Sequence, residues 1–202
     1  MNAAMRLTFC VVLAALAGCT TYDRRLTGST TQYLTAGGQI VSKDSNVGIT
    51  DNVSYWDGDG VTGSPSITIN LREQKAFFYK GDRLVGVSMI SSGREGYKTP
   101  PGNYKIIQKS KDHVSNLYGD YVDSAGNVVV SNVGVRRDPK PPGARFRGAP
   151  MPYFLRFHGG YGLHAGFLPG FPASHGCVRM PERMAQIFYA NSHHGTPVRV
   201  VN

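Results

Sequence analysis

The residues Tyr161-Gly-Leu-His-Ala-Gly-Phe-Leu-Pro-Gly-Phe-Pro-Ala-Ser-His-Gly-Cys-Val-Arg-Met-Pro181 gather two histidines, His164 and His175, with Ser174 and the thiol of Cys177, among glycines and prolines. A stretch that serves only packing does not need that set of side chains. A thiol beside an imidazole, with Gly176 allowing close backbone approach, is the material of covalent acyl transfer. An unperturbed cysteine is mostly protonated at neutral pH, so attack on a carbonyl needs a neighbouring base that takes the proton and returns it to a leaving amine. His175 stands two positions before Cys177 and shares its face in an extended segment. His164 stands thirteen residues upstream, far enough for a loop to bring it across from a neighbouring strand. Spacing leaves both histidines open as the base. The N–H groups of Gly176 and Cys177 are candidates for an oxyanion hole, and the planar fork of Arg179 for a substrate carboxylate. His158 is a further candidate for lining the cleft.

Outward from this stretch the pattern is that of strands. Ser66-Ile-Thr-Ile-Asn-Leu71 alternates apolar and polar residues with period two, which predicts a half-buried strand. Ala76–Tyr79 and Arg83–Ile90, joined by Lys80-Gly-Asp82, predict a hairpin, and Gly102–Lys109 a fourth strand entered through the stiff Thr99-Pro-Pro-Gly102 turn. Tyr118–Val122 and Val128–Val130 flank Asp123–Asn127 as a second hairpin, within a long segment, 111–150, of the kind that serves as a lid. Tyr153–His158 reads as a strand leading into the opening stretch. Pro181 suits a first helical position with Glu182 behind it; Met184, Ile187 and Phe188 share a face, and Gly195 ends that element. Pro197–Val201 closes the chain as a strand. The fold class is mainly β with one short helix after Cys177.

The 202 residues suit one domain plus a tail, and the net charge is +9. The basic residues are scattered rather than run together, so the charge suits an anionic wall or membrane face and excludes nucleic acid as the expected partner. Arg6 followed by the apolar run Leu7–Leu16 has the form of an export signal and is too short for a membrane span. It ends in Leu16-Ala-Gly-Cys19, which resembles the bacterial lipobox; the resemblance implies cleavage after residue 18, lipid on Cys19 and, with Thr20 following, sorting to the periplasmic face of the outer membrane. The alternative is a plain secretory signal releasing the protein into the periplasm. Cys10 leaves with the signal and Cys19 is the lipid site, so Cys177 is left as the single thiol of an exported domain, where an idle thiol is a liability. Residues 19–64, rich in Thr, Ser, Gly, Asp and Asn, read as a flexible tether, with Val53–Trp56 as a candidate edge segment docking on the domain of residues 65–202.

Ser174-His-Gly-Cys-Val-Arg-Met180 with the upstream Gly162-Leu-His164 resembles the signature of bacterial L,D-transpeptidases, the YkuD-like domain. The resemblance extends to Ile67–Leu71, Gln74–Tyr79, Ser91-Ser-Gly93 and Thr99–Gly102, and so covers Pro65 to Asn202. It implies a fold of two mixed β-sheets, Cys177 as nucleophile and His164 as the base. It further implies that His175 supports the cysteine loop, that Ser174 holds this loop by hydrogen bonds, and that Arg179 lies near the substrate. The implied substrates are peptidoglycan stem tetrapeptides, acylated at their third residue with release of D-alanine; a second stem, a protein lysine or water then resolves the thioester. Nine residues separate His164 from Ser174, fewer than in several family members, and Pro169 and Pro172 stiffen them. No cofactor is implied and the chain is expected to act as a monomer. Two competing readings are a zinc site of His158, His164, His175 and Cys177, whose spacing fits no familiar zinc framework, and a non-catalytic wall-binding lipoprotein, which would not need to keep both thiol and base.

Overall fold

Alternation of buried and half-buried residues sets the first strands. The computed structural model describes the backbone of Gln32–Tyr33 together with Asp51 and residues 53–202. The export signal, Cys10, Cys19 and most of the expected tether lie outside the described residues. In chain order the strands are β1 (Gln32–Tyr33), β2 (Tyr55–Trp56), β3 (Pro65–Asn70), β4 (Lys75–Lys80), β5 (Arg83–Met89), β6 (Gly102–Lys105), β7 (Gln108–Val122), β8 (Val128–Gly134), β9 (Arg145–His158), β10 (Tyr161–Ala165), β11 (Val178–Met180) and β12 (Pro197–Val201). The helix α1 spans Glu182–Asn191. In β3 the alternate residues Ile67 and Ile69 are buried, as the period-two pattern requires.

The strands form two mixed sheets, ordered β1-β2-β5-β4-β3-β12-β6 and β11-β10-β9-β7-β8. Each contains one parallel pair, β3 with β12 and β10 with β11, amid antiparallel neighbours. The main core joins Ile67, Ile69 and Phe78 of the first sheet to Leu155, Leu163 and Val178 of the second and to Met184, Ala185 and Phe188 of α1. Two edge-to-face contacts, Trp56 on Phe78 at 5.3 Å and Phe78 on Phe188 at 5.0 Å, run through it. α1 buries Met184, Ala185 and Phe188 and leaves Ile187 half-buried, so the expected face is shifted by one residue.

Three sequence expectations change. The expected fourth strand, Gly102–Lys109, is divided between the sheets. Ile106 hydrogen-bonds Thr196 and Gly195 beside the first sheet, whereas the Ile107 N–H donates to Arg156 O in the second, so the chain crosses at this dipeptide. The strand ending at His158 begins at Arg145 rather than Tyr153, because its amino-terminal half pairs with β7 as far as Val122. The packed body also starts ahead of Pro65. Trp56 is 1% exposed and pairs through its backbone with β5, the Asp51 carboxylate accepts from the N–H groups of Val53 and Ser54, and Ser54 Oγ accepts from Met89 N–H. The docking expected of Val53–Trp56 is thus met, and Asp51 holds the turn that leads into it.

Candidate active site

The parallel pairing of β10 and β11 assembles the centre. Leu163 lies level with Val178 and His164 with Arg179. Alternation then turns Leu163 and Val178 into the core and His164 and Arg179 to the opposite face. Cys177, immediately before β11, stands at the level of Gly162 on that same face. Strand pairing thus brings His164 and the thiol, thirteen residues apart in sequence, onto one face of neighbouring strands. The face opens into a cleft of about 880 Å³, whose lining includes Cys177, His164, His175, Ser174, Arg179 and Tyr161.

The cysteine loop is held at several points. Ser174 Oγ donates to Cys177 O and accepts from Gly176 N–H at 3.0 Å. Thr99 Oγ1 donates to Gly176 O at 2.7 Å and accepts from Gly93 N–H. The Gly176 N–H is therefore occupied by Ser174, and of the expected oxyanion pair the Cys177 N–H is left. Gly176 has φ of +114°, and a Cβ there would lie 2.5 Å from the Tyr161 ring, so only glycine fits the turn.

His164 is 6% exposed, and its Nδ1 lies 2.7 Å from Ala165 O. A carbonyl oxygen only accepts, so Nδ1 carries the proton and Nε2 the lone pair. Burial is the main cause that holds its pKa down, to about 4; Arg179 and His113 add to this, while the Ala165 bond opposes it. The Cys177 thiol is half-buried and donates to Gly160 O at 3.5 Å. Burial pushes its pKa up, against the Gly162 backbone N–H and the Arg156 and Arg179 guanidiniums, which favour the thiolate. Both shifts favour the uncharged forms at neutral pH, thiol for Cys177 and imidazole for His164.

The family model of the L,D-transpeptidase catalytic domain, YkuD, matches residues 64–200. The chain belongs to the L,D-transpeptidase family. The fold is similar to the L,D-transpeptidase of Stackebrandtia nassauensis (TM-score 0.50, 22% identity, 69% of this chain and 56% of that one). It is also similar to one from Mycobacterium smegmatis (0.53, 14%, 69% and 59%) and to L,D-transpeptidase 1 of Mycobacterium tuberculosis (0.50, 16%, 69% and 62%). The chain thus spans less than two thirds of each of these relatives, and at these identities the likeness shows the fold. No curated protein matches the chain.

Other residues of this L,D-transpeptidase domain fall as follows. His175 stacks on Tyr118 at 4.4 Å and accepts at Nε2 from Arg94 at 2.9 Å. Arg179 is half-buried and forms no ion pair among the described residues; nearby Glu182 accepts from Gln186 instead. His158 does not line the cleft. It is exposed at the end of β9, stacked between Tyr104 and Tyr161 at 4.8 and 5.9 Å, and so stands apart from the other residues of the suggested zinc set. Among the described residues no group of three His, Cys, Asp or Glu side chains is placed to hold a metal. His193 and His194 are exposed beyond α1.

Sequence reasoning missed Arg94, Tyr118 and His113, supplied from distant segments, and Arg156 on the adjoining β9. His113 lies on β7, stacked on Phe154 at 4.3 Å, and lines the cleft beside His164. Only for Arg94 was there a signal, its place directly after the family-like Ser91-Ser-Gly93.

Proposed function

We propose that the domain is a cysteine acyltransferase acting on peptidoglycan stem tetrapeptides. The observation that carries this reading is one cleft lined by Cys177, by His164 whose Nδ1–H is held by Ala165, and by Arg179, which has no carboxylate partner among the described residues. As Cys177 Sγ attacks the carbonyl of the third stem residue, its proton passes to His164 Nε2 and the S–C bond forms. The Cys177 N–H faces the developing oxyanion. The C–N bond then breaks, Nε2–H protonates the departing D-alanine amine, and a thioester remains. An acceptor amine attacks the thioester carbonyl and gives up a proton to Nε2 as the new C–N bond forms; the C–S bond then breaks and Nε2–H returns the proton to the departing sulfur.

Arg179, with its planar fork, is the candidate for a carboxylate of the stem. The acceptor amine of a second stem yields a crosslink and that of a protein lysine an anchored protein; water makes the domain a carboxypeptidase. Support for transfer over hydrolysis comes from the family alone. The reading includes a lipid anchor at Cys19 on the periplasmic face of the outer membrane, supported by the sequence Leu16–Thr20. Incubation with purified muropeptides, followed by mass spectrometry for dimers, tripeptides and free D-alanine, tests the reaction. Dimers with D-alanine are the expected products, and tripeptides alone select hydrolysis. Labelling with radioactive palmitate that is lost in Cys19→Ser tests the anchor.

A further inference from the structure

Two imidazoles flank the Cys177 loop; both carry the ring proton on Nδ1, but each is held through a different nitrogen. In His164 the proton is on Nδ1, held by Ala165 O, and Nε2 is the basic atom. In His175 it is Nε2 that is engaged, 2.9 Å from a terminal nitrogen of Arg94. A guanidinium has donors and no acceptor, so Nε2 of His175 must supply the lone pair and the ring proton must sit on Nδ1.

Arg94 is itself built onto the catalytic loop. Its N–H donates to Ser174 O at 3.1 Å, and the preceding Gly93 bridges Ser174. Gly93 cannot be replaced without collision, because a Cβ there would meet Tyr97 O at 2.0 Å and Gly176 Cα at 3.0 Å. The Arg94 guanidinium lies over the Tyr97 ring at 4.6 Å, and Tyr97 in turn meets the His175 ring edge-on at 4.8 Å. Tyr118, from β7, stacks on the His175 face with an interplanar angle of 18°. The charged groups acting on His175 are Arg94, Arg179 and Arg137 on one side of the balance and Asp138 on the other.

We propose that Arg94 is a positioning residue: its hydrogen bond to Nε2 fixes His175 as the Nδ1–H tautomer, bars that ring from taking the Cys177 proton, and leaves the base role to His164. Protonation of His175 at Nε2 would set N–H against N–H and add a positive charge among three guanidiniums. Burial and these charges hold its pKa down to about 4. The inference on catalysis rests on Cys177 being the nucleophile; the inference on the tautomer does not.

Long-range proton–nitrogen NMR of the histidine side chains in the full chain, wild type and Arg94→Met, separates the two. In the wild type, His175 Nε2 is expected to keep its unprotonated shift down to about pH 5. In Arg94→Met it is expected to become protonated in part, with a titration midpoint moved toward the ordinary 6.5. With muropeptide substrate, kcat of Arg94→Met is expected to fall about tenfold with KM little changed, the size expected for one charge-assisted hydrogen bond. Arg94→Lys, which keeps a cationic donor, should recover most of the loss. If Arg94→Met fails to fold, judged by near-ultraviolet circular dichroism, Arg94→Ala, which likewise has no donor, reads the same midpoint shift. An unchanged Nε2 shift in the variant, or a loss confined to KM, would overturn the proposal. If instead Cys177 is not the nucleophile, Cys177→Ala stays active while the tautomer result stands.

Discussion

The two walls of the cleft are built on different terms. One wall consists of β10, β11 and the loop at residues 174–177. There Ser174, Thr99, Ser91 and Ser92 each bond backbone across the loop, and His164 is fully enclosed. The other wall is the hairpin β7–β8 with the first half of β9. It rests on a cluster of only Tyr121, Val133 and Ala144 with Phe146 against it, and it exposes Val128, Val129 and Val130 along an edge strand. Reacting atoms need a fixed near-attack geometry, and the first wall supplies it. A wall with few buried contacts opens at low free-energy cost, which suits the side by which the proposed stem peptide would enter.

Substitutions on the first wall are expected to be the most damaging. Cys177→Ala and His164→Ala should each lower D-alanine release by at least about a thousandfold, and the double variant should be hardly worse than either, since the two act as one unit. Circular dichroism of both should match the wild type. Gly176→Ala comes next: forcing a Cβ at φ of +114° against Tyr161 should cost about 1–3 kcal/mol in denaturant unfolding and most of the activity.

The acid dependence is a third way to sharpen the contrast. Because His164 must be neutral to accept a proton and ionises near pH 4, the acid limb of kcat/KM should lie near 4 rather than 6.5. The unfolded chain binds protons at both His164 and His175 from pH 6.5 downward, while the folded chain resists until about 4. Stability is therefore present above 6.5 and lost as pH falls through that window, which a series of thermal melts would show. On the second wall the effects shrink. Tyr118→Ala removes the stack on His175 and should destabilise by about 1 kcal/mol. The exposed Val129→Thr should stay within about 0.5 kcal/mol and leave kcat unchanged.

The local parts of this architecture could be read from the chain. The alternation at Ile67 and Ile69, the hairpin turning at Gly81 and the helix after Pro181 all express short-range rules, and Cys177 stands out because the expected export signal and lipid site account for the other two thiols. The unreadable parts are non-local. Arg94 meets His175 across 81 positions, and Tyr118 reaches the same ring from the opposite wall. The choice of His164 rested on family likeness, since its approach to Cys177 depends on a parallel strand pairing that spacing does not reveal. Composition misled at Asp51, which looked like linker although its carboxylate holds a turn, and proximity in sequence misled at His158, which lies outside the cleft.

The central claim is that Cys177 carries the acyl group. Intact-protein mass spectrometry of the wild type and Cys177→Ala, each quenched in acid during turnover of a disaccharide tetrapeptide, tests it directly. The account predicts a wild-type adduct equal to the stem lacking its terminal D-alanine, with neither adduct nor D-alanine release in the variant. Release of D-alanine by Cys177→Ala at the wild-type rate would contradict it.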